Sequence, residues 1–154
     1  MQNFRRIVCG PLLFLSLGLA ACVYSPLRPS DEPVRLGQDH FARADYGLAE
    51  QKFRAAVEAN PASIDAWVGL AASYDQLHRF DLADKAYAQA VKLAGKTPEM
   101  LNNLGYHYLL KGDRVQARRY LLAAAEADPI NPYIQSNLYL LETWSTGEPL
   151  CERC

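Results

Sequence analysis

A chain of 154 residues has room for one domain, and a hydrophobic content of 50% can supply its core, much of it as alanine. Lys and Arg number 16 against 17 Asp and Glu, and setting aside Arg5 and Arg6, the only charges before Cys22, leaves the remainder more acidic. No basic stripe is left, which argues against nucleic acid as a main partner.

Arg5 and Arg6 form a positive start. Ile7 to Leu19 follow as a 13-residue apolar run broken by Cys9, Gly10 and Pro11. That run is too short to span a bilayer and suits a secretory signal, so residues 1–21 are expected to be removed rather than folded. Leu19-Ala20-Ala21-Cys22 comes next and resembles the bacterial lipobox, L-[AS]-[AG]-C. The resemblance implies a diacylglycerol on the Cys22 sulfur, cleavage before Cys22 and acylation of its amine. Several acyl chains anchor firmly where one would bind reversibly. An ordinary signal peptide with an incidental Cys22 is the alternative. The context Phe4-Arg5-Arg6-Ile7-Val8 lacks the usual flanks of a twin-arginine signal, which favours the general secretion route. The lipoprotein sorting rule sends chains with Asp after the Cys to the inner membrane. Val23 stands there, so the implied location is the periplasmic face of the outer membrane.

Residues 22–33 read as a tether. Pro26, Pro29 and Pro33 oppose helix and favour an extended, semi-rigid segment. At ~3.1 Å per residue it would hold the first folded element roughly 30 Å off the membrane.

From there the chain repeats itself. Leu36, Gly37, His40, Ala49, Phe53, Ala56 and Pro61 recur 34 residues later as Leu70, Ala71, Tyr74, Ala83, Tyr87, Ala90 and Gly95. A further 34 residues on stand Leu104, Gly105, Tyr108, Ala117, Leu121, Ala124 and Pro129. Trp67 leads the middle copy. A fixed period without drift is an internal repeat. The pattern resembles the tetratricopeptide-repeat (TPR) family, W-x2-L-G-x2-Y followed by A-x3-F, A and P, over Ser30 to Trp144. The resemblance implies an all-α solenoid of three helix-turn-helix repeats, about 30–63, 64–97 and 98–131. A capping helix follows over 132–144, closing a TPR domain of 34–144.

Gly37, Ala71 and Gly105, with Ala49, Ala83 and Ala117, let paired helices approach. Phe53, Tyr87, Leu121 and Trp67 fill the space between them. Gly47, Arg79–Asp81 and Gly112–Asp113 are expected to break the pairs, with Asp81 and Asp113 as N-caps. Asn60–Pro61, Lys96–Thr97–Pro98 and Asp128–Pro129 divide the units.

The inner face of a TPR array is lined by the first helix of each unit. By slot this puts Val34, Gln38 and Phe41 there from repeat one. Repeat two gives Asp65, Val68, Ala72, Asp75 and Gln76, and repeat three gives Glu99, Asn102, Tyr106 and Leu109. Amides can bond a peptide backbone, and Tyr and Phe offer anchors at low entropy cost. Packing alone is the other reading of Phe41, Val68 and Leu109. The chaperone-type clamp for a C-terminal carboxylate needs Lys and Arg in this set, and it has neither.

No nucleophile–base group, phosphate loop or carboxylate pair stands out, so no reaction and no cofactor are expected. His40, His78 and His107 do not read as a metal site. Arg114, Arg118 and Arg119 make a small basic patch on the second helix of repeat three, read as a solvated outer face. Residues 145–154 form a tail ending Cys151-Glu152-Arg153-Cys154. No helix follows to lower a thiol pKa, and no second ligand pair lies near in sequence for zinc. A local disulfide fits an oxidising periplasm, and a link to a partner protein is the other pairing open to Cys151 and Cys154.

A lipobox, a proline tether, three TPRs and a cap resemble the small TPR lipoproteins of bacterial envelope machines. Asn102 to Tyr106, Lys111-Gly112-Asp113, Ala117 to Leu121 and Asn137-Leu138 are most like the TadD lipoproteins of Tad-type (Flp) pilus assembly, and more distantly the type IV pilus pilotins. The resemblance implies a scaffold that binds protein partners, such as a secretin or a pilus subunit, during assembly. A general periplasmic adaptor for cell-wall proteins is the competing reading. A thiol-redox protein using Cys151 and Cys154 is a third.

Overall fold

The computed structural model describes residues 32–146. The expected signal segment, Cys22, the tether up to Asp31, and Cys151 and Cys154 lie outside the described residues. Seven helices follow one another: α1 (Glu32–Ala42), α2 (Tyr46–Ala59), α3 (Ile64–Gln76), α4 (Phe80–Ala94), α5 (Pro98–Lys111), α6 (Arg114–Ala127) and α7 (Pro132–Thr146). α1 packs on α2, α3 on α4 and α5 on α6, while α7 lies against α5 and α6. The first helices also touch in a row, α1 to α3, α3 to α5 and α5 to α7. No strand occurs among the described residues, and the expected solenoid of three repeats and a cap is what forms.

The repeat slots explain the packing. Ala49, Ala83 and Ala117 are each fully buried, as are Ala56, Ala90 and Ala124. A Cβ added at Gly37 would stand 2.8 Å from the Phe53 ring, and one at Gly105 would stand 2.5 Å from Leu121. One apolar cluster runs from α2 to α5, through Phe53, Leu70, Tyr74, Tyr87 and Leu104. Trp67 packs on it only partly, its indole Nε1 donating to the Pro61 carbonyl at 2.8 Å. The cap closes the stack by inserting Ile134 beside Leu101 and Ala124, and Leu141 beside Leu109 and Leu121. In the slot of Gly37, Ala71 and Gly105, α7 carries Tyr139, which is 66% exposed. A helix packed on α7 as α6 packs on α5 would meet that ring, so the slot is filled for capping.

The turns inside the repeats are one turn used three times. Ala44, His78 and Gly112, spaced by the repeat, hold φ of 60°, 56° and 82°. The next amide in each closes back on the preceding helix: Asp45 to His40 at 2.9 Å, Arg79 to Tyr74 at 2.8 Å and Asp113 to Tyr108 at 2.9 Å. This is the left-handed helix stop that glycine favours. At three places the chain departs from its expected boundaries. The first turn is Arg43–Asp45, and Gly47 lies inside α2. Asp81 sits in the first turn of α4, where it faces the positive end of the helix dipole, and Arg79 holds the N-cap position. Pro33 belongs to the first turn of α1, a place where its missing N–H costs nothing. Asp113 does cap α6, accepting from the Gln116 amide at 3.0 Å, and Ser63 and Thr97 cap α3 and α5 in the same way.

Candidate functional site

The row α1, α3, α5, α7 forms a trough made of three hollows that share walls. The first, about 290 Å³, lies between α1 and α3, with Gln38, Phe41, Asp65, Val68 and Ala72 around it and Phe53 and Gly69 beneath. The second, about 200 Å³, shares Phe41, Val68 and Ala72 and adds Asp75, Gln76, Tyr87, Asn103 and Tyr106. The third, about 410 Å³, shares Asn103 and Tyr106 and runs to α7 along Glu99, Asn102, Tyr133, Ser136 and Asn137. The trough is therefore apolar toward its α1 end and rich in amide and phenol groups toward α7.

The structure places Gln38, Phe41, Asp65, Val68, Ala72, Asp75, Gln76, Glu99, Asn102 and Tyr106 around these hollows. Leu109 falls outside the trough: it is 1% exposed and sealed against Leu141 of the cap. Asp75 lines the second hollow only as its floor, being 1% exposed. Val34 packs on the core cluster and does not line any of the three hollows. Asn102 is tied to the cap, its side-chain oxygen accepting from Asn137 Nδ2 at 2.9 Å. Slot counting carried one repeat further would have found Tyr133, Ser136 and Asn137, since they stand 34 residues after Glu99, Asn102 and Asn103. It would have found Gly69 too, 34 residues before Asn103.

Beneath the second hollow runs a polar chain that joins repeats two and three. Tyr87 donates its hydroxyl to Asp75 Oδ2 at 3.1 Å. His107, wholly buried, sets Nδ1 2.6 Å from Asp75 Oδ1 and Nε2 2.9 Å from Asp84 Oδ1. Lys111 pairs with the other oxygen of Asp84 at 2.7 Å. Both ring nitrogens of His107 thus face carboxylates, which fits the doubly protonated ring. Burial works hardest against that charge, yet the two aspartates together outweigh it and raise the His107 pKa. The Asp84 pKa is lowered: burial, the largest single effect, would raise it, but Lys111 and His107 prevail. Burial and the neighbouring Asp75 hold the Tyr87 phenol well above its usual range. A related acid, Glu50, stands one repeat before Asp84, buried and paired with Arg54 and with Arg79 at 3.4 Å. Among the described residues no group of three His, Cys, Asp or Glu is placed to hold a metal ion.

The tetratricopeptide repeat family model matches residues 34–83 and 73–132. The chain belongs to the tetratricopeptide-repeat family. TPR proteins are in general scaffolds for protein interaction rather than catalysts. The type IV pilus assembly protein PilF of Pseudomonas aeruginosa is 28% identical over 132 residues, covering 79% of this chain and 52% of PilF. The chain thus spans about half the length of that relative. The solved structure of Pseudomonas aeruginosa PilF superimposes with a TM-score of 0.65 at 27% identity, over 76% of this chain and 54% of that one. The first TPR domain of human RPAP3 shares the fold, with a TM-score of 0.67 at 17% identity over 77% of this chain and 93% of that one. This TPR chain is therefore similar to a pilus assembly protein, within a family whose fold alone is shared much more widely.

Proposed function

We propose that this TPR protein is a lipid-anchored scaffold on the periplasmic face of the outer membrane. There it holds segments of protein partners in its trough while a pilus or secretin-type envelope machine assembles, and it catalyses no reaction itself. The observation that carries this reading is the continuity of the trough. Three hollows along the alternate helices α1, α3, α5 and α7 are joined through Phe41, Val68, Ala72, Asn103 and Tyr106, so one extended segment can run through all of them. Apolar walls with a few placed polar groups are what a bound peptide needs. The likeness to PilF supports the assignment to pilus assembly. The lipobox-like Leu19 to Cys22 supports the anchor.

The test is a photo-crosslinking amino acid placed at Val68 in cells, with Arg118 on α6 as the control position. The expected result is a crosslink from position 68 to a pilus or secretin component and none from position 118. Crosslinks to that component from position 118 alone would move the working surface to α6 and overturn the reading.

A further inference from the structure

The charge lining the trough says what kind of segment it takes. Asp65 and Glu99 occupy the same slot one repeat apart, in the first turns of α3 and α5. Both are exposed, and neither makes an ion pair among the described residues. Asp65 borders the apolar hollow and Glu99 the amide-rich one. Among the described residues, no Lys or Arg lines any of the three hollows. An acid in a first turn also complements the helix dipole. That role accounts for a carboxylate at the slot, but not for a described lining that holds no balancing cation. An acidic segment laid there would meet two uncompensated carboxylates beside low-dielectric walls, and like charges opposed in this way are costly.

Resting on the groove reading above, we infer that the trough selects a cationic segment: one apolar side chain seated between Phe41, Val68 and Ala72, flanked by Lys or Arg facing Asp65 and Glu99. The apolar side chain supplies most of the affinity, because it leaves water for a pocket floored by the Phe53 ring. The flanking charges set the choice of partner and the rate of encounter more than the strength of the complex. The amide of Asn103 and the side-chain oxygen of Asn137, whose nitrogen is held by Asn102, remain to bond the backbone of the segment toward α7.

A random dodecapeptide library displayed on phage, panned against the full chain purified in detergent, tests this. A Val68→Gln variant and an Asp65→Asn/Glu99→Gln variant are panned in parallel, each checked for helicity. The wild type is expected to enrich peptides with an apolar residue between Lys or Arg, and Val68→Gln to lose them. The best peptide should bind about threefold more weakly for each carboxylate removed, and the difference should shrink at high salt. Enrichment of acidic peptides, of peptides with no charge bias, or equal binding by the neutralised variant overturns the charge inference and leaves the groove reading standing. If the wild type enriches nothing beyond what Val68→Gln enriches, the groove reading itself fails.

Discussion

Gly69 of α3 faces the ring of Phe53 of α2 so closely that a Cβ at position 69 would stand 2.3 Å from it. Phe53 is thereby held between Gly37 of its own repeat and Gly69 of the next. In a helix interior, Gly→Ala ordinarily gains up to about 1 kcal/mol. Here the sign should reverse, because the ring is 2% exposed and already pressed against Gly37 on its other side. Gly69→Ala is expected to destabilise the chain by about 1–3 kcal/mol in a urea titration. A gain in stability would mean that Phe53 does not wedge the two repeats.

The buried ion chain makes the junction of repeats two and three sensitive to pH. His107 has a raised pKa, so its contribution is fully present below its ordinary value of 6.5 and is lost as pH rises through the raised value. Asp84 has a lowered pKa, so its contribution is present above 3.8 and is lost as pH falls through the lowered value. Stability should be greatest between these limits and fall toward alkaline pH. His107→Gln should cost about 3–5 kcal/mol, because it leaves the buried Asp75 carboxylate without its cation, while Asp84 keeps Lys111. It should also flatten the alkaline fall in melting temperature. A variant that keeps the wild-type pH profile would show that His107 is not the titrating group.

The repeated turn gives a prediction with the opposite sign. Ala44 adopts the left-handed conformation that Gly112 adopts in the third repeat, and it is exposed. Ala44→Gly removes the clash of Cβ with the backbone and should stabilise the chain by about 1 kcal/mol. His78→Gly would be a poor companion test, since the His78 ring also meets Phe80 edge-on at 5.7 Å. Chemical denaturation of Ala44→Gly alone decides it.

Lipidation at Cys22 is expected from Leu19-Ala20-Ala21-Cys22. Cys22→Ser should accumulate as an uncleaved precursor that takes up no labelled palmitate. Normal processing of that variant would assign the cleavage to an ordinary signal peptidase and remove the anchor.

The solenoid was legible because its slots carry steric demands that recur. Ala49, Ala83 and Ala117 must be small wherever two helices cross, and the period alone places them. The trough followed from the same period, since Phe41, Val68 and Tyr106 lie on first helices whatever they touch. Leu109 was misplaced because the slot rule knows nothing of a cap: α7 covers the end of α5 and takes Leu109 into the core. The pairing of Asp75 with His107 escaped notice for another reason. Their bond joins residues 32 apart in sequence, and His107 reaches Asp84 across 23, so no local spacing announces them. Glycine at 69 reads as a helix fault until the Phe53 ring is seen against it.

The central claim is that the trough, and no other part of the chain, captures the partner. Tyr106→Ala tests it most directly, because Tyr106 borders two of the three hollows while Asn102 also ties the cap. Membrane partners co-purified from envelopes should be lost from Tyr106→Ala, with helicity and lipidation unchanged, since truncating a tyrosine anchor commonly costs about 2 kcal/mol or more. They should be retained by the Cys151→Ser/Cys154→Ser double variant. Full retention by Tyr106→Ala together with loss from the double variant would contradict the account and make the C-terminal tail the working part.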